Sequence, residues 1–199
     1  MGQFNRNDYD GLVLNEVRDG TVAAAFTERT GGISESPYAS LNLGSHVGDD
    51  MAAVMENRRR VLAALGCADD FERLLVPNQV HGDCVAVLRE GSDDELVRVR
   101  EQIAEGADAI VCAAAHVPVM LCFADCVPVV LTCPGGFAVI HSGWKGAIAR
   151  ISAKAANILC ETAACPASSV RAYIGPHILG DEYEVSQELM ERFCAEFGW

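Results

Sequence analysis

Residues 121–146 (LCFADCVPVVLTCPGGFAVIHSGWKG) constrain the fold more than any other stretch of this sequence. Short apolar runs rich in β-forming residues alternate there with turn residues, which is the pattern of buried strands. Cys126 and His141 each stand at the end of such a run. Similar runs occur elsewhere, and the predicted strands are 11–17, 21–26, 74–80, 84–88, 107–114, 117–123, 127–132, 137–141 and 170–174.

Three segments have the 3.6-residue periodicity of amphipathic helices. They lie at 51–65, after Gly146 and at 185–197. Asp49 or Asp50 is expected to cap the first helix and Gly66 to end it. Residues 89–106 are charged and predict a surface loop with one helical turn. Strands interspersed with three helices predict an α/β protein with a mixed sheet.

A polar, glycine-rich segment at residues 27–50 has no predicted helix or strand. Loops longer than about 15 residues inside a compact domain are usually functional or disordered. This loop carries apolar and aromatic anchors, namely Ile33, Tyr38, Leu41 and Leu43. We therefore expect it to be ordered and to border the functional site.

Composition excludes several classes of partner. The 199 residues, half of them hydrophobic, suit one domain, and the net charge of -13 repels nucleic acid and anionic membrane surfaces. No stretch approaches the roughly 18 apolar residues of a membrane span, and the polar N-terminus lacks a signal peptide's hydrophobic region. We expect a cytoplasmic monomer that binds a small molecule. The nine cysteines include no CxxC pair and mostly lie in apolar runs, so they are interpreted as free thiols without a disulfide framework.

His81, in PNQVHGD, joins Cys126 and His141 as a candidate metal ligand. A catalytic zinc needs three protein ligands and one open position. The separations of 45 residues (81 to 126) and 15 residues (126 to 141) differ from zinc-finger spacing and are typical of a site built on a scaffold. For any histidine taken alone, an ordinary core or loop residue is the favoured interpretation. Asp125 is a candidate general base or ligand-orienting group, or alternatively a cap for the turn.

A second interpretation of the same residues needs no metal. Cys126 would be a nucleophile with His141 as its base, as in a cysteine hydrolase or acyltransferase, and His81 would be a third orienting group or a substrate contact. His46, His116 and His177 are interpreted as ordinary loop or core histidines.

Two features could bind an anion. Arg58 lies on the apolar stripe of the first helix, between Val54 and Leu62, so its head either reaches water from a packed stem or points inward to an anionic ligand. The SGWKG segment runs from a strand end into a helix, where backbone N–H groups can face an anion, although it lacks Walker A spacing. Its candidate substrate-binding residues are Ser142, Gly143 and Lys145.

Seven motifs together resemble the laccase-domain or polyphenol-oxidase-like family, also described as bacterial purine nucleoside phosphorylases of the multicopper-oxidase-like type. They occur in family order over most of residues 23–188: FTERTGGISESPYASLNLGSHVGDD, ENRRR, PNQVHGD, ADAIV, FADCVPVVL, IHSGWKGAIARI and IGPHILGDEYEV. The resemblance implies a layered α/β/β/α fold with mixed sheets, similar to a cysteine-hydrolase-like toxin domain. It also implies that His81, Cys126 and His141 bind zinc.

The resemblance implies phosphorolysis of adenosine, inosine, guanosine and methylthioadenosine, together with adenosine deamination. Zinc would polarise a substrate oxygen or activate water, and Arg58 with the SGWKG backbone would hold phosphate. Asn42 and Gln79 are candidate substrate contacts. The alternatives left open are a copper-dependent polyphenol oxidase, a peptidoglycan editing amidase that removes L-serine from a muropeptide precursor, and a binding domain without activity.

The sequence departs from the family pattern in two places. The usual glycine-proline-cysteine motif reads Gly175-Pro176-His177 here, so a role for that cysteine does not carry over. Family chains usually continue past the last predicted helix with a cysteine-threonine pair and a tyrosine-arginine-arginine stretch. We therefore expect a single catalytic domain over residues 1–199 that lacks this tail.

Overall fold

The computed structural model describes residues 4–198. Within that range the chain alternates between strands and helices, joined in places by short 3-10 helices. In chain order the elements are β1 Asn5–Tyr9, β2 Leu12–Asp19, β3 Val22–Thr27, α1 Met51–Ala64, β4 Val85–Leu88, α2 Asp93–Glu105, β5 Ala109–Cys112, β6 Val127–Cys133, β7 Gly136–Ser142, α3 Trp144–Ile148, α4 Ile151–Thr162, β8 Arg171–Ile174 and α5 Gln187–Phe197.

The strands form two sheets. The smaller sheet is antiparallel in the order β1-β2-β3, and the larger one has the order β4-β5-β7-β6-β8. In the larger sheet β4 and β5 are parallel, whereas the remaining neighbours are antiparallel. The predicted mixed α/β class is therefore confirmed.

Side-chain alternation assigns each face of the larger sheet to different partners, because successive residues of a strand point to opposite faces. In β5, Val111 packs in the cluster that contains α4, and Ile110 packs in the cluster that contains α2. In β7, Ile140 faces α4, whereas Val139 packs against the three-stranded sheet. One face of the larger sheet is thus covered by α4, and the opposite face by α2 and the smaller sheet.

The smaller sheet is covered in turn by α1. Leu14 of β2 packs with Val61 of α1, while Val17 and Phe26 contact Val130 of the larger sheet. The layers are therefore α1, the three-stranded sheet, the five-stranded sheet and α4. This is the predicted α/β/β/α arrangement.

Two predicted strands are wrong. Residues 74–80 and 117–123 contribute only one isolated parallel bridge, Leu75 to Val119, and β4 pairs with β5 rather than with the segment before it. Pro77 and Pro118 explain the failure, because proline has no N–H to donate to a strand ladder.

Residues 89–106 contain more helix than the single turn predicted from the sequence. Most of this segment forms α2, which Ser92 caps by accepting the N–H of Glu95. The Glu95 carboxylate accepts the three N–H groups of residues 89–91, so a charged stretch that resembles a loop starts a regular helix. The helix predicted after Gly146 divides into α3 and α4 at Arg150, whose φ is 56°. Strand β1 was not predicted.

Residues 28–50 form the long loop expected between β3 and α1. Its packing centres on Asn57 of α1, which is fully buried, accepts the N–H of Ile33 and donates to Ser34, Ser40 and Asn42. The ordered loop is confirmed, with Leu41 as a buried anchor. Ile33 is wrong as an anchor, because its side chain is exposed.

Asp50 caps α1 as predicted, by accepting the N–H of Ala52, and Gly66 follows the helix in a left-handed conformation. Within residues 4–198, none of the helices has the length and hydrophobicity that crossing a membrane requires.

Candidate metal centre

The structure brings His81, Cys126 and His141 together. Their potential ligand atoms lie within 4.8 Å of one another, and the two imidazole rings are 4.7 Å apart between centroids and nearly perpendicular. A tetrahedral zinc with bonds of about 2.0–2.3 Å separates its ligand atoms by about 3.5 Å. Small side-chain rotations would therefore bring all three atoms to one ion.

Strand alternation explains why two of the ligands meet. His141 is on the same face of β7 as Val139, and Cys126 precedes β6 in phase with Pro128. Because Pro128 is paired with His141 across the β6–β7 ladder, both ligands lie at one end of the larger sheet. His81 comes from the irregular segment before β4 and has a left-handed φ of 58°.

A fully buried carboxylate, Asp108, fixes the remaining geometry. It accepts the backbone N–H groups of Val80, His81 and Gly82 at 2.7–3.3 Å, and the Nδ1–H of His141 at 2.7 Å. Burial alone would raise the pKa of Asp108, but the hydrogen bonds from His141 and the backbone lower it. The carboxylate therefore assigns the proton of His141 to Nδ1 and leaves Nε2 for a metal.

The backbone at Gly143 leaves room at the centre of the three ligands. A Cβ atom there would lie 3.3 Å from both the Sγ of Cys126 and the Cδ2 of His81, and 3.7 Å from the Cε1 of His141. Such contacts are tighter than ordinary packing allows at two of the three ligands. A glycine at this position fits a cluster that must close around an ion.

Two negative groups surround the Cys126 thiol. Burial raises the pKa of Cys126, and the carboxylates of Asp125 and Asp108 raise it further. A divalent cation at the cluster would counter both effects, because a coordinated thiol is deprotonated by the ion itself. The two imidazoles, the thiol and the surrounding carboxylates thus fit a divalent metal ion.

The three ligands line a cleft of about 1250 Å³ between the two sheets. Its walls include Phe26 from the smaller sheet and Val139 from the larger one. Asp125, which precedes Cys126, lines the same cleft and is exposed. The structure therefore places all four predicted catalytic residues on one cavity.

Two of the residues predicted to contact the substrate line this cleft, and the side chains of both form hydrogen bonds with other residues of the chain. Asn42 donates to Asp49 and to the Gly44 carbonyl within the long loop. Gln79 makes two hydrogen bonds with the backbone of Cys122, at 2.7 and 2.8 Å. Each side chain has a defined position, so a substrate contact from either would come from a preorganised amide.

The other predicted substrate residues lie outside the described lining of the cleft. Arg58 is buried, and its Nε and Nη2 donate to the Leu43 carbonyl at 3.0 and 2.7 Å. The interpretation that its head reaches water is therefore wrong. Ser142 ends β7, Gly143 caps α3, and Lys145 is exposed with its Nζ above the Trp144 ring. A phosphate contact from these four residues stays a prediction.

Sequence reasoning missed the two buried residues that hold the site together. Asp108 was visible only as one acidic residue before an apolar run, although a buried charge requires several donors around it. Asn57 was visible only as part of ENRRR in the first predicted helix. The hydrogen-bond partners of the two side chains lie 15–33 residues away, so no local pattern could identify them.

The chain is thus a mixed α/β protein with a candidate metal centre, the His-Cys-His cluster in the cleft between its two sheets. A family model described as multi-copper polyphenol oxidoreductase laccase matches residues 23–198, and the chain belongs to this family. The family inferred from the seven motifs is therefore confirmed.

Two related sequences and one solved structure are also similar to this chain. A protein of Deinococcus radiodurans named purine nucleoside phosphorylase is 39% identical over 191 residues, covering 93% of this chain and 68% of the relative. A protein from an unknown prokaryotic organism named adenosine deaminase RL5 is 33% identical over 172 residues, covering 85% of this chain and 64% of the relative. The crystal structure of Bacillus licheniformis hypothetical protein YfiH matches with a TM-score of 0.79 at 29% identity, covering 93% of this chain and 69% of that chain.

Proposed function

We propose that this protein is a zinc-dependent enzyme that cleaves purine nucleosides with phosphate and deaminates adenosine. The observation that carries the proposal is the cluster of His81, Cys126 and His141 on the cleft, in a chain 39% identical to a protein named purine nucleoside phosphorylase. The relative named adenosine deaminase supports the second activity. A cleft of about 1250 Å³ has room for a nucleoside and a phosphate, because small-molecule sites occupy about 300–1,000 Å³.

Each residue of the site has a role in this proposal. The thiolate of Cys126, the Nε2 of His141 and one ring nitrogen of His81 would hold zinc, which would supply Lewis acidity to a substrate oxygen or to water. Asp125 exchanges a proton with the purine or with the attacking group. Asn42 and Gln79 contact the substrate through their fixed amides.

Phosphate binding is the least constrained part of the proposal. Lys145 is exposed, and Ser142 and Gly143 adjoin His141, so these residues could meet an anion near the cluster. Arg58 acts through Leu43, by holding the loop that carries Asn42. Replacing Arg58 should therefore affect nucleoside and phosphate binding together, whereas Lys145→Ala should raise the KM for phosphate alone.

The test combines metal analysis with product analysis. Purified protein should contain about one zinc per chain, as a three-ligand site predicts, and should convert inosine and phosphate to hypoxanthine and adenosine to inosine. Cys126→Ser should lose both the metal and the activities. Cys194→Ser, in α5, and His116→Ala, which lines the same cleft outside the cluster, should retain them.

Other outcomes would replace this proposal. Full turnover by metal-free protein would favour Cys126 and His141 as a nucleophile and base. Bound copper with oxidation of phenols would favour the oxidase that the family description names. Inert nucleosides, together with release of L-serine from a muropeptide, would favour the editing amidase.

A further inference from the structure

Two of the candidate metal ligands follow irregular segments that run side by side. The segments start as a parallel bridge, in which the N–H of Leu75 donates to the Pro118 carbonyl at 2.9 Å and the N–H of Met120 donates to the Leu75 carbonyl at 3.0 Å. A parallel ladder would continue at residue 77, but Pro77 has no N–H to donate. The backbone pairing therefore stops before either ligand is reached.

The side chain of Gln79 takes over where this backbone pairing stops. Its Oε1 accepts the N–H of Cys122 at 2.7 Å, and its Nε2 donates to the Cys122 carbonyl at 2.8 Å. In a regular ladder these two hydrogen bonds would come from the backbone of residues 77 and 79. A carboxamide has the donor and the acceptor of a peptide unit, so it can replace them. Its second N–H stays available for the substrate contact proposed above.

Residues 121–126 have few other backbone hydrogen bonds. The segment forms neither helix nor strand. Within the described part of the chain, one further hydrogen bond reaches its peptide groups, from the N–H of Ile178 to the Asp125 carbonyl at 3.0 Å. Cys126 is the last residue of this segment and directly precedes β6. The Gln79 contact is therefore a large part of what fixes the backbone on the N-terminal side of Cys126.

Two side chains thus connect the three candidate ligands. Asp108 binds the backbone N–H of His81 and the ring of His141. Gln79 precedes His81 by two residues and binds the segment that ends at Cys126. The first contact fixes one histidine relative to the other, and the second fixes the thiol relative to His81.

We propose that Gln79 is a positioning residue of the metal centre, which sets the distance between the Cys126 sulfur and the His81 ring by binding the backbone of Cys122. The inference rests on the metal-binding part of the proposed function. Ligand atoms within 4.8 Å of one another require an irregular segment to give up conformational entropy. A contact that orders this segment beforehand raises the affinity for the ion, because less ordering remains to oppose binding.

Two simpler roles predict different results. Gln79 lines the cleft, and if it only contacted the substrate, its replacement would raise the KM and leave metal binding unchanged. If it only stabilised the fold, its replacement would lower the unfolding free energy without changing which atoms bind the metal. The identity of the metal ligands therefore separates the positioning role from both.

The main variant is Gln79→Met, which keeps the length of the side chain and removes both hydrogen bonds. In a competition titration on the full chain, we expect zinc to bind about tenfold more weakly, as when an outer partner of a ligand is lost. With cobalt(II) in place of zinc, the native protein should show a sulfur-to-cobalt charge-transfer band. This band should be weaker in the variant, because Cys126 is the ligand whose position is released.

Asn78→Leu is the matched control. Asn78 is the neighbouring amide, and its side chain donates to the Ala104 carbonyl of α2 at 3.4 Å rather than to residues 121–126. Its replacement should leave the zinc affinity and the cobalt spectrum at the native values. Gln79→Asn is a milder second variant, which keeps the amide but shortens the side chain by one methylene. Its zinc affinity should lie between those of the native protein and Gln79→Met.

Hydrogen exchange of the metal-free proteins supplies a measurement that needs no ion. The N–H of Cys122 should exchange faster in Gln79→Met than in the native protein or in Asn78→Leu. Native zinc affinity in Gln79→Met, or weaker binding with an unchanged charge-transfer band, would overturn the positioning role and leave the metal centre standing. A native protein that binds neither zinc nor cobalt(II) would overturn the proposed metal centre, and this inference with it.

Discussion

Two fully buried polar side chains organise two different parts of the cleft. Asp108 binds the three N–H groups of residues 80–82 and the Nδ1 of His141. Asn57 binds the long loop, as an acceptor for one N–H group and a donor to two carbonyls and a hydroxyl. One residue therefore orders the metal ligands, and the other orders the loop that faces them.

The difference between the two residues follows from their charge. A carboxylate only accepts hydrogen bonds, so Asp108 collects donors and thereby decides which nitrogen of His141 remains available. An amide both donates and accepts, so Asn57 can bind the mixed N–H and C=O groups of an irregular loop, without a charge that would influence the ligands. Replacing Asp108 by asparagine should therefore disturb metal binding, whereas replacing Asn57 by aspartate should disturb the packing of the long loop.

The largest effect is expected for Asp108→Asn. The new amide group must point its N–H atoms at groups that are themselves donors, and the negative charge beside His141 is lost. Each buried donor that loses its acceptor costs about 1–3 kcal/mol in unfolding free energy, and loss of such an outer partner weakens metal binding by about 10–100-fold. Denaturant unfolding of the metal-free protein and a zinc competition titration measure the two effects.

The control for that variant is Asp83→Asn. Asp83 is in the same segment, but it is exposed and forms a surface ion pair with Lys154. Its replacement should leave both measurements nearly unchanged. If Asp108→Asn behaved like this control, Asp108 would not organise the ligands.

The second-largest effect is expected for Asn57→Asp. A carboxylate of the same shape would face two carbonyl oxygens to which the amide now donates. We expect a loss of about 2–3 kcal/mol in unfolding free energy, since unsatisfied buried groups cost about 1–3 kcal/mol each, and a higher KM for the nucleoside. Zinc affinity should stay at the native value, and a parallel fall in zinc affinity would show that the loop and the metal cluster are not independent.

Much of the site could be predicted from the sequence, because the ligand positions follow local rules. Cys126 and His141 stand at the ends of apolar runs whose period-2 alternation survives in β6 and β7. The long loop and the cap at Asp50 were equally visible.

The remaining features depend on pairing between distant segments. The parallel pairing of β4 with β5 spans α2, and no local pattern distinguishes it from a pairing of β4 with the nearer segment 74–80. The role of Asp108 was unpredictable for the same reason, because its hydrogen-bond partners lie 26–33 residues away on either side. Local periodicity contains no information about such contacts. The capping pair Ser92 and Glu95, by contrast, was local and could have been recognised.

The smallest effect is expected for Gly143→Ala, which adds one methyl group beside the three candidate metal ligands. The methyl would lie 3.3 Å from Cys126 and His81, so the ligands could close around an ion only by shifting slightly. Overpacking of this kind costs about 1 kcal/mol or more, which corresponds to a zinc affinity about fivefold weaker. Gly180→Ala is the control, because a Cβ there meets nothing within 4 Å. The metal-free protein should unfold normally in both variants, so a Gly143→Ala protein that binds zinc as tightly as the control would mean that the ion does not sit among these three ligands.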